Sequence, residues 1–268
     1  MKRILHTPII LFFSLTVSNC YFNPLVNSLL NPTETEENSL LPGLSLLSIS
    51  GAPYAISLTG QIRNENGATV NDALLTVTSR SNDLDGLDAS ATTDAGGRFF
   101  IRLATGTTTF AVTQDESPYF SFTLRVNSPT DIQVVDIRDN SFPVEVSSFF
   151  PFDPGNQPSF FEMVDSDPTD QSVTQIGPSA FYFYFTSPPA QPIQGQEAIW
   201  LSQNISVSPS LTLSNLSFEV NSMIVLVFGY SSQTTTYSIT LGSGILSETG
   251  IPLTPRTISF TCETPCGL

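Results

Sequence analysis

Three cysteines, twenty-four carboxylates and one histidine set the limits of the chemistry open to this chain. His6 is the only imidazole and Lys2 the only lysine, and both precede the first apolar run. Beyond that point no Ser-His-Asp or Cys-His machinery can be assembled and no imidazole can hold a metal. A lysine Schiff base and a phosphate-binding P-loop are excluded with it. Hydrolysis by a pair of carboxylates remains open, and it would need two acids close together in a concave site.

The acids fall into three sets. Asp83-Leu84-Asp85-Gly86-Leu87-Asp88 has the spacing of part of a calcium loop, with Asp83, Asp85 and Asp88 as ligands. A full loop of that kind also needs a distal bidentate glutamate, and none follows at the right distance. The other reading is a solvated hairpin tip. Asp165, Asp167 and Asp170 flank Pro168 and read as a turn, while Asp131, Asp136 and Asp139 are strung along and after a strand.

Cys20 stands apart from the other two thiols. Met1-Lys2-Arg3 gives a positive start, and Ile9-Ile10-Leu11-Phe12-Phe13 with Leu15 and Val17 gives a short apolar core. That layout is the one a secretory signal uses. A spanning helix needs roughly 20 apolar residues, which this run does not reach. Val17-Ser18-Asn19-Cys20 resembles a bacterial lipobox of the relaxed kind found in spirochaetal lipoproteins, with Asn19 departing from the strict pattern. The resemblance implies cleavage before Cys20 and a diacylglyceryl group on its sulfur, with an amide-linked chain such as palmitate on its amino group. Each buried CH₂ contributes about 0.8 kcal/mol, so several chains together would anchor the protein for good. The competing reading is cleavage nearby by the general signal peptidase, leaving a free or paired thiol. The expected address is the cell envelope, at the outer membrane, on either its surface or its periplasmic face. Tyr21, rather than an aspartate, follows the cysteine and agrees with the outer membrane.

Loss of the leader would remove Lys2 and His6 and leave the chain more acidic than its formal −15. Such a charge repels phosphate backbones, so no nucleic-acid partner is expected. Cys262 and Cys266, in Thr261-Cys262-Glu263-Thr264-Pro265-Cys266, then form an even pair in an oxidising compartment. A small-loop disulfide is expected there, and no metal site, since two thiolates lack further ligands.

These residues need elements to carry them, and the pattern beyond the leader is all-β. Residues 1–19 read as the signal and 20–52 as a flexible tether rich in Asn, Ser and Pro. Leu25, Leu29 and Leu30 mark a short amphipathic turn pair in it as the alternative. From Tyr54 short alternating runs appear: 56–62, 73–77, 99–103, 109–112, 120–126 and 132–135. Asn66-Gly67 between the first two has the composition of a tight hairpin. Phe149 to Asn156 breaks the alternation with Pro and Gly, so 149–158 reads as a linker whose phenylalanines pack between two domains. Beyond it, Phe181-Tyr182-Phe183-Tyr184-Phe185 sends three phenylalanines to one face and two tyrosines to the other. Met223-Ile224-Val225-Leu226-Val227-Phe228 reads as a strand buried on both faces, and 236–241 as another strand. The expected fold is two tandem β-sandwiches, 53–148 and 159–268.

Two resemblances sharpen that expectation. Gly60-Gln61-Ile62, Asn66-Gly67, Ala73 to Val77, then Thr93-Asp94-Ala95-Gly96-Gly97-Arg98-Phe99 and Gly106 before Thr109-Phe110 resemble the carboxypeptidase regulatory-like (transthyretin-like) domain. Ser166-Asp167-Pro168, Phe185-Thr186-Ser187-Pro188, Thr235 to Ile239 and Ser247 to Leu253 resemble the S-layer-type bacterial Ig-like domain. In that last turn Ser247 and Ile251 depart from the family's Asp and Asn. The first family implies an accessory sandwich without catalytic residues of its own, and both lobes read as accessory-type sandwiches. The function expected is therefore a lipid-anchored, non-enzymatic envelope protein that binds a protein or glycan partner. Its membrane contact would be the lipid, with no cofactor beyond the covalent lipid and the calcium reading above. Tyr182 and Tyr184 are the candidate binding face if they point outward, and cross-strand pairing residues otherwise. A structural subunit of an outer-membrane assembly and a carboxylate-based envelope hydrolase are the alternatives.

Overall fold

The computed structural model describes residues 52–264 and Cys266. The leader, Cys20 with its lipidation, and the tether up to residue 51 lie outside the described residues. What is described is strand-dominated, with sixteen strands and one short helix among the described residues.

The first lobe comprises β1 (Ala55–Arg63), β2 (Leu74–Arg80), β3 (Ser90–Thr92), β4 (Arg98–Ala104), β5 (Gly106–Gln114), β6 (Ser117–Ser128), β7 (Asp131–Arg138) and β8 (Glu145–Pro151). They form a three-stranded sheet, β4-β1-β8, facing a five-stranded one, β3-β2-β5-β6-β7. The alternation in the sequence decides which side chains meet between them. Ile56, Leu58, Ile62, Phe99 and Ile101 from the small sheet pack on Leu75, Phe110, Phe122 and Leu124 from the large one. Phe110 and Phe122 stack with centroids 4.9 Å apart.

The Asn66-Gly67 turn is formed, with Gly67 at φ 76° and its N–H donating to the Asn64 carbonyl. It does not join β1 to β2 as a hairpin. The turn closes on a single Arg63–Thr69 bridge, and the chain then crosses to the facing sheet, where β2 pairs with β3 and β5. The crossing is driven by burial, since Val70, Ala73 and Leu75 all enter the core. The second tight turn, 94–98, is built around one carboxylate. Asp94 Oδ1 accepts the N–H groups of Gly96 and Arg98 at 2.8 and 2.9 Å. Gly97 has φ 68°, and a Cβ there would come within 2.5 Å of the Ile62 carbonyl oxygen. This turn delivers Phe99 to the core and Arg98 to the opposite side of the sheet.

The second lobe comprises β9 (Met163–Asp167), β10 (Ser172–Thr174), β11 (Ala180–Phe185), α1 (Glu197–Asn204), β12 (Ile205–Ser208), β13 (Thr212–Glu219), β14 (Ser222–Phe228), β15 (Thr235–Leu241) and β16 (Arg256–Cys262). Two four-stranded sheets, β10-β16-β15-β12 and β13-β14-β11-β9, enclose its core. Phe181, Phe183, Phe185, Val225 and Val227 meet Tyr237, Ile239, Leu241, Ile258 and Phe260 there. Among the described residues only β10 and β16 pair in parallel. Ser247 organises the 247–253 turn: its hydroxyl accepts the Ile251 N–H at 3.0 Å, and Leu253 is buried behind it. Cys262 and Cys266 are joined by a disulfide.

The stretch expected to link the lobes starts inside a strand. Phe149, Phe150 and Pro151 belong to β8, whose register runs Thr59 against Phe150 and Leu58 against Pro151. A proline is tolerated there because β8 is an edge strand.

Candidate functional site

Two regions break the rule that charge lies outside and apolar surface inside. One is the junction of the lobes. Arg98 leaves the turn described above with its side chain fully buried. Its Nε and Nη2 donate to Glu162 Oε1 at 2.9 and 2.6 Å, and its Nη1 donates to the Ser148 carbonyl. The guanidinium lies 4.1 Å from the centroid of Phe160, a cation–π contact in a desolvated setting. Glu162 also accepts the Thr254 hydroxyl at 3.0 Å, and its Oε2 lies 3.8 Å from Arg63. Arg63 is buried too, donating to the carbonyls of Gly67 and Met163. Burial, and then the neighbouring Arg256 charge, lower the Arg63 guanidinium to about 10.

Around this centre Arg256 binds Glu145 on one side and Asp170 on the other, at 3.0 and 3.3 Å. Burial alone would raise the Glu145 carboxyl. The Ser147 hydroxyl, Arg256 and Arg63 outweigh it and hold the group below its ordinary range. The backbone joins in, with Thr69 N–H donating to the Val164 carbonyl and Asp170 N–H to the Asn66 carbonyl. The charges are matched, three guanidinium groups against Glu162, Glu145 and Asp170. Every one is spent inside the molecule, so this cluster is a structural joint.

The other region is the outer face of β9-β11-β14-β13. The period of two places Phe181, Phe183 and Phe185 in the core and turns Tyr182 and Tyr184 outward. In β14 the same alternation buries Met223, Val225 and Val227 and leaves Ile224, Leu226 and Phe228 on the outside. The strand expected to be buried on both faces is thus fully buried on one and half-buried on the other, with Phe228 exposed at its end. Tyr182 lies opposite Ile224 in the ladder and Ala180 opposite Leu226. Tyr184 is 41% exposed and Phe228 53%. On the flank, Asp167 and Asp165 pair in register with Tyr182 and Tyr184. The result is an aromatic and aliphatic centre with a carboxylate edge.

The opposite outer face of the same sandwich is the natural comparison. There Thr236, Ser238 and Thr240 lie across from Thr261, Ser259 and Thr257. The hydroxyls of Thr236 and Thr261, and of Thr240 and Thr257, approach to 2.8 Å. Hydroxyls belong on a wet sheet face. On the Tyr184 face hydroxyls stand along β13, at Thr212, Ser214 and Ser217, beside the larger apolar Phe228, Leu226 and Ile224 of β14.

The remaining candidates are dispersed. Asp83 turns to Arg80 at 3.7 Å, and Asp88 accepts the Arg102 N–H at 2.7 Å. Asp131 is taken by Asn127 and Gln133, Asp136 by Arg138 and Asp139 by Ser121. Asp170 separates from Asp165 and Asp167 by turning to Arg256 and the Ser259 N–H. Among the described residues no three His, Cys, Asp or Glu side chains gather where they could hold a metal ion. Among them, too, no helix is long and apolar enough to cross a membrane.

Sequence reasoning singled out the tyrosines and missed their neighbours. Ile224, Leu226 and Phe228 were hidden in a run whose even and odd positions are both apolar. Arg98 and Glu162 carry no signal at all, since their pairing spans 64 positions. Comparison with known protein families and with characterised proteins finds no match to this chain.

Proposed function

We propose that this chain is a lipid-anchored cell-envelope protein that acts by binding, with the outer face of β9-β11-β14-β13 as its contact surface. The observation that carries the reading is β14. Its composition is that of a strand covered on both sides, and its outer side is only half covered, with Phe228 exposed. Burying a large apolar side chain contributes about 1.5–3 kcal/mol. Phe228 and Tyr184 are exposed and Ile224, Leu226 and Tyr182 are half-buried, so a partner that completes their burial recovers a part of that for each. Aromatic side chains are the usual anchors of such contacts.

The partner that fits is a protein with an apolar patch and a basic rim. Asp165 and Asp167 edge the face, and the chain's formal charge of −15 favours a cationic counterpart. The lipobox-like Val17 to Cys20 supplies the anchor in this reading, and the two accessory-type sandwiches supply the display. The inner lobe would serve as a stem, locked to the outer one by the junction charges.

The test is a photo-crosslinking amino acid placed at Tyr184 in the producing cells, with Thr240 on the hydroxyl face as the control. A defined heavier product from 184, absent from 240 and lost on Phe228→Ser, is the expected result. Equal products from both positions, or none from 184, would overturn the contact surface. Fatty-acid labelling checks the anchor separately: the label should disappear in Cys20→Ala, and its persistence would refute acylation at that sulfur.

A further inference from the structure

A groove of about 260 Å³ runs beside α1, away from the tyrosine face. One wall is a stripe of the helix: Gln196, Ile199, Trp200 and Gln203, at the spacing that shares a helical face. The facing wall comes from residues 190–193 with Gly244 and Leu246.

The facing wall is held within itself by one hydrogen bond and to the helix end by another. Ala190 N–H donates to the Leu246 carbonyl, and Gly242 N–H donates to the Asn204 carbonyl, both at 2.8 Å. Asn204 is buried and its Nδ2 donates to the Trp200 carbonyl at 2.9 Å. A Cβ at Gly244 would stand 2.1 Å from Asn204 Oδ1, so only glycine lets the walls approach this closely. The groove is therefore preformed.

Its helix turns Leu201 and Asn204 inward. Asn204 is buried while Ile199 is 58% exposed, and across the groove Ile193 is also open to solvent. Trp200 is half-buried, edge-to-face with Phe218. Among the described residues its indole N–H has no protein acceptor. Three primary amides, Gln191, Gln196 and Gln203, line the groove, each offering donors and an acceptor. No charged side chain lines it, although the chain carries 24 acids and 9 basic residues. Glu197, next along the helix, is turned to the Gly195 N–H at 2.9 Å.

Neutral amides and an indole, without charge, suit a ligand that is itself neutral, hydroxylated and apolar on one face. We infer that this groove binds a neutral sugar ring, with Trp200 as the apolar platform and the glutamines as hydroxyl partners. An anionic sugar would find no counter-charge. The site is independent of the Tyr184 surface and would leave that surface free.

Trp200 is the only tryptophan in the chain, so its emission reports on this groove alone. The purified full chain is titrated with the methyl glycosides of glucose, galactose, mannose and N-acetylglucosamine, and with N-acetylneuraminic and glucuronic acids. A saturable change in emission with at least one neutral glycoside, and none with the acids, is expected. Gln196→Ala and Gln203→Ala, both at exposed positions, should each weaken binding by up to about tenfold. Phe142→Ala, in the first lobe, should leave it unchanged. A flat response to all neutral sugars, an equal response to the acids, or affinity that survives Q196A/Q203A would overturn the assignment.

Discussion

The junction and the tyrosine face are built from opposite exceptions to the same rule. At the junction, Arg98 and Glu162 are buried in full, and both ends of every charge are met from within. At the tyrosine face, Phe228 and Tyr184 are 53% and 41% exposed. The difference separates structure from function. An exception that is closed internally holds the fold together. One left open is free to act on something else.

The largest effect belongs to the closed exception. Glu162→Ala leaves Arg98 and Arg63 buried without their shared carboxylate, and losing one partner of a buried pair costs about 3–5 kcal/mol. Urea unfolding followed by circular dichroism should show that loss. A change below about 1 kcal/mol would mean that the joint is not what holds the lobes. Gly97→Ala comes next. The added Cβ meets the Ile62 carbonyl at φ 68°, and the resulting strain of about 1–3 kcal/mol should lower the unfolding midpoint.

The open exception should behave the other way. Tyr184→Ser with Phe228→Ser should change stability by less than about 1 kcal/mol, the span of strand propensity. The same double variant should abolish the crosslink from a neighbouring position such as Tyr182. A large loss of stability would make this face a structural element after all.

The smallest effect is a pH dependence at the junction's rim. Glu145 has a folded value below 4.5, so its share of stability is present above about pH 4.5 and is lost as pH falls through that lower value. Glu145→Gln should flatten the acid limb of the stability profile slightly, without moving it above pH 6. Glu145 is partly exposed, and screening keeps the effect small.

Much of this was legible in the chain. Alternation marks eight of the strands, because one-sided burial writes itself into every second residue, and the unbroken apolar run 223–228 marks a ninth. Gly96-Gly97 after Asp94 gives the turn that aims Arg98. Strands such as Met163–Asp167 and Ser172–Thr174 carry no such mark, since they are short edge strands with mixed composition. The crossing from β1 to β2 was also hidden, because Asn66-Gly67 forms the same turn whether or not a hairpin follows. At the site, the tyrosines were readable from period two. Phe228 and its neighbours were not, because a run apolar at odd and even positions alike does not show which face is core.

The account rests on the outer face of β9-β11-β14-β13 being covered in place. Hydroxyl-radical footprinting of intact cells against purified protein measures that directly, with Phe142 in the first lobe, 59% exposed, as the internal reference. Tyr182, Tyr184 and Phe228 should be protected in cells while Phe142 labels equally in both samples. Equal labelling of all four residues in cells and in solution would contradict it.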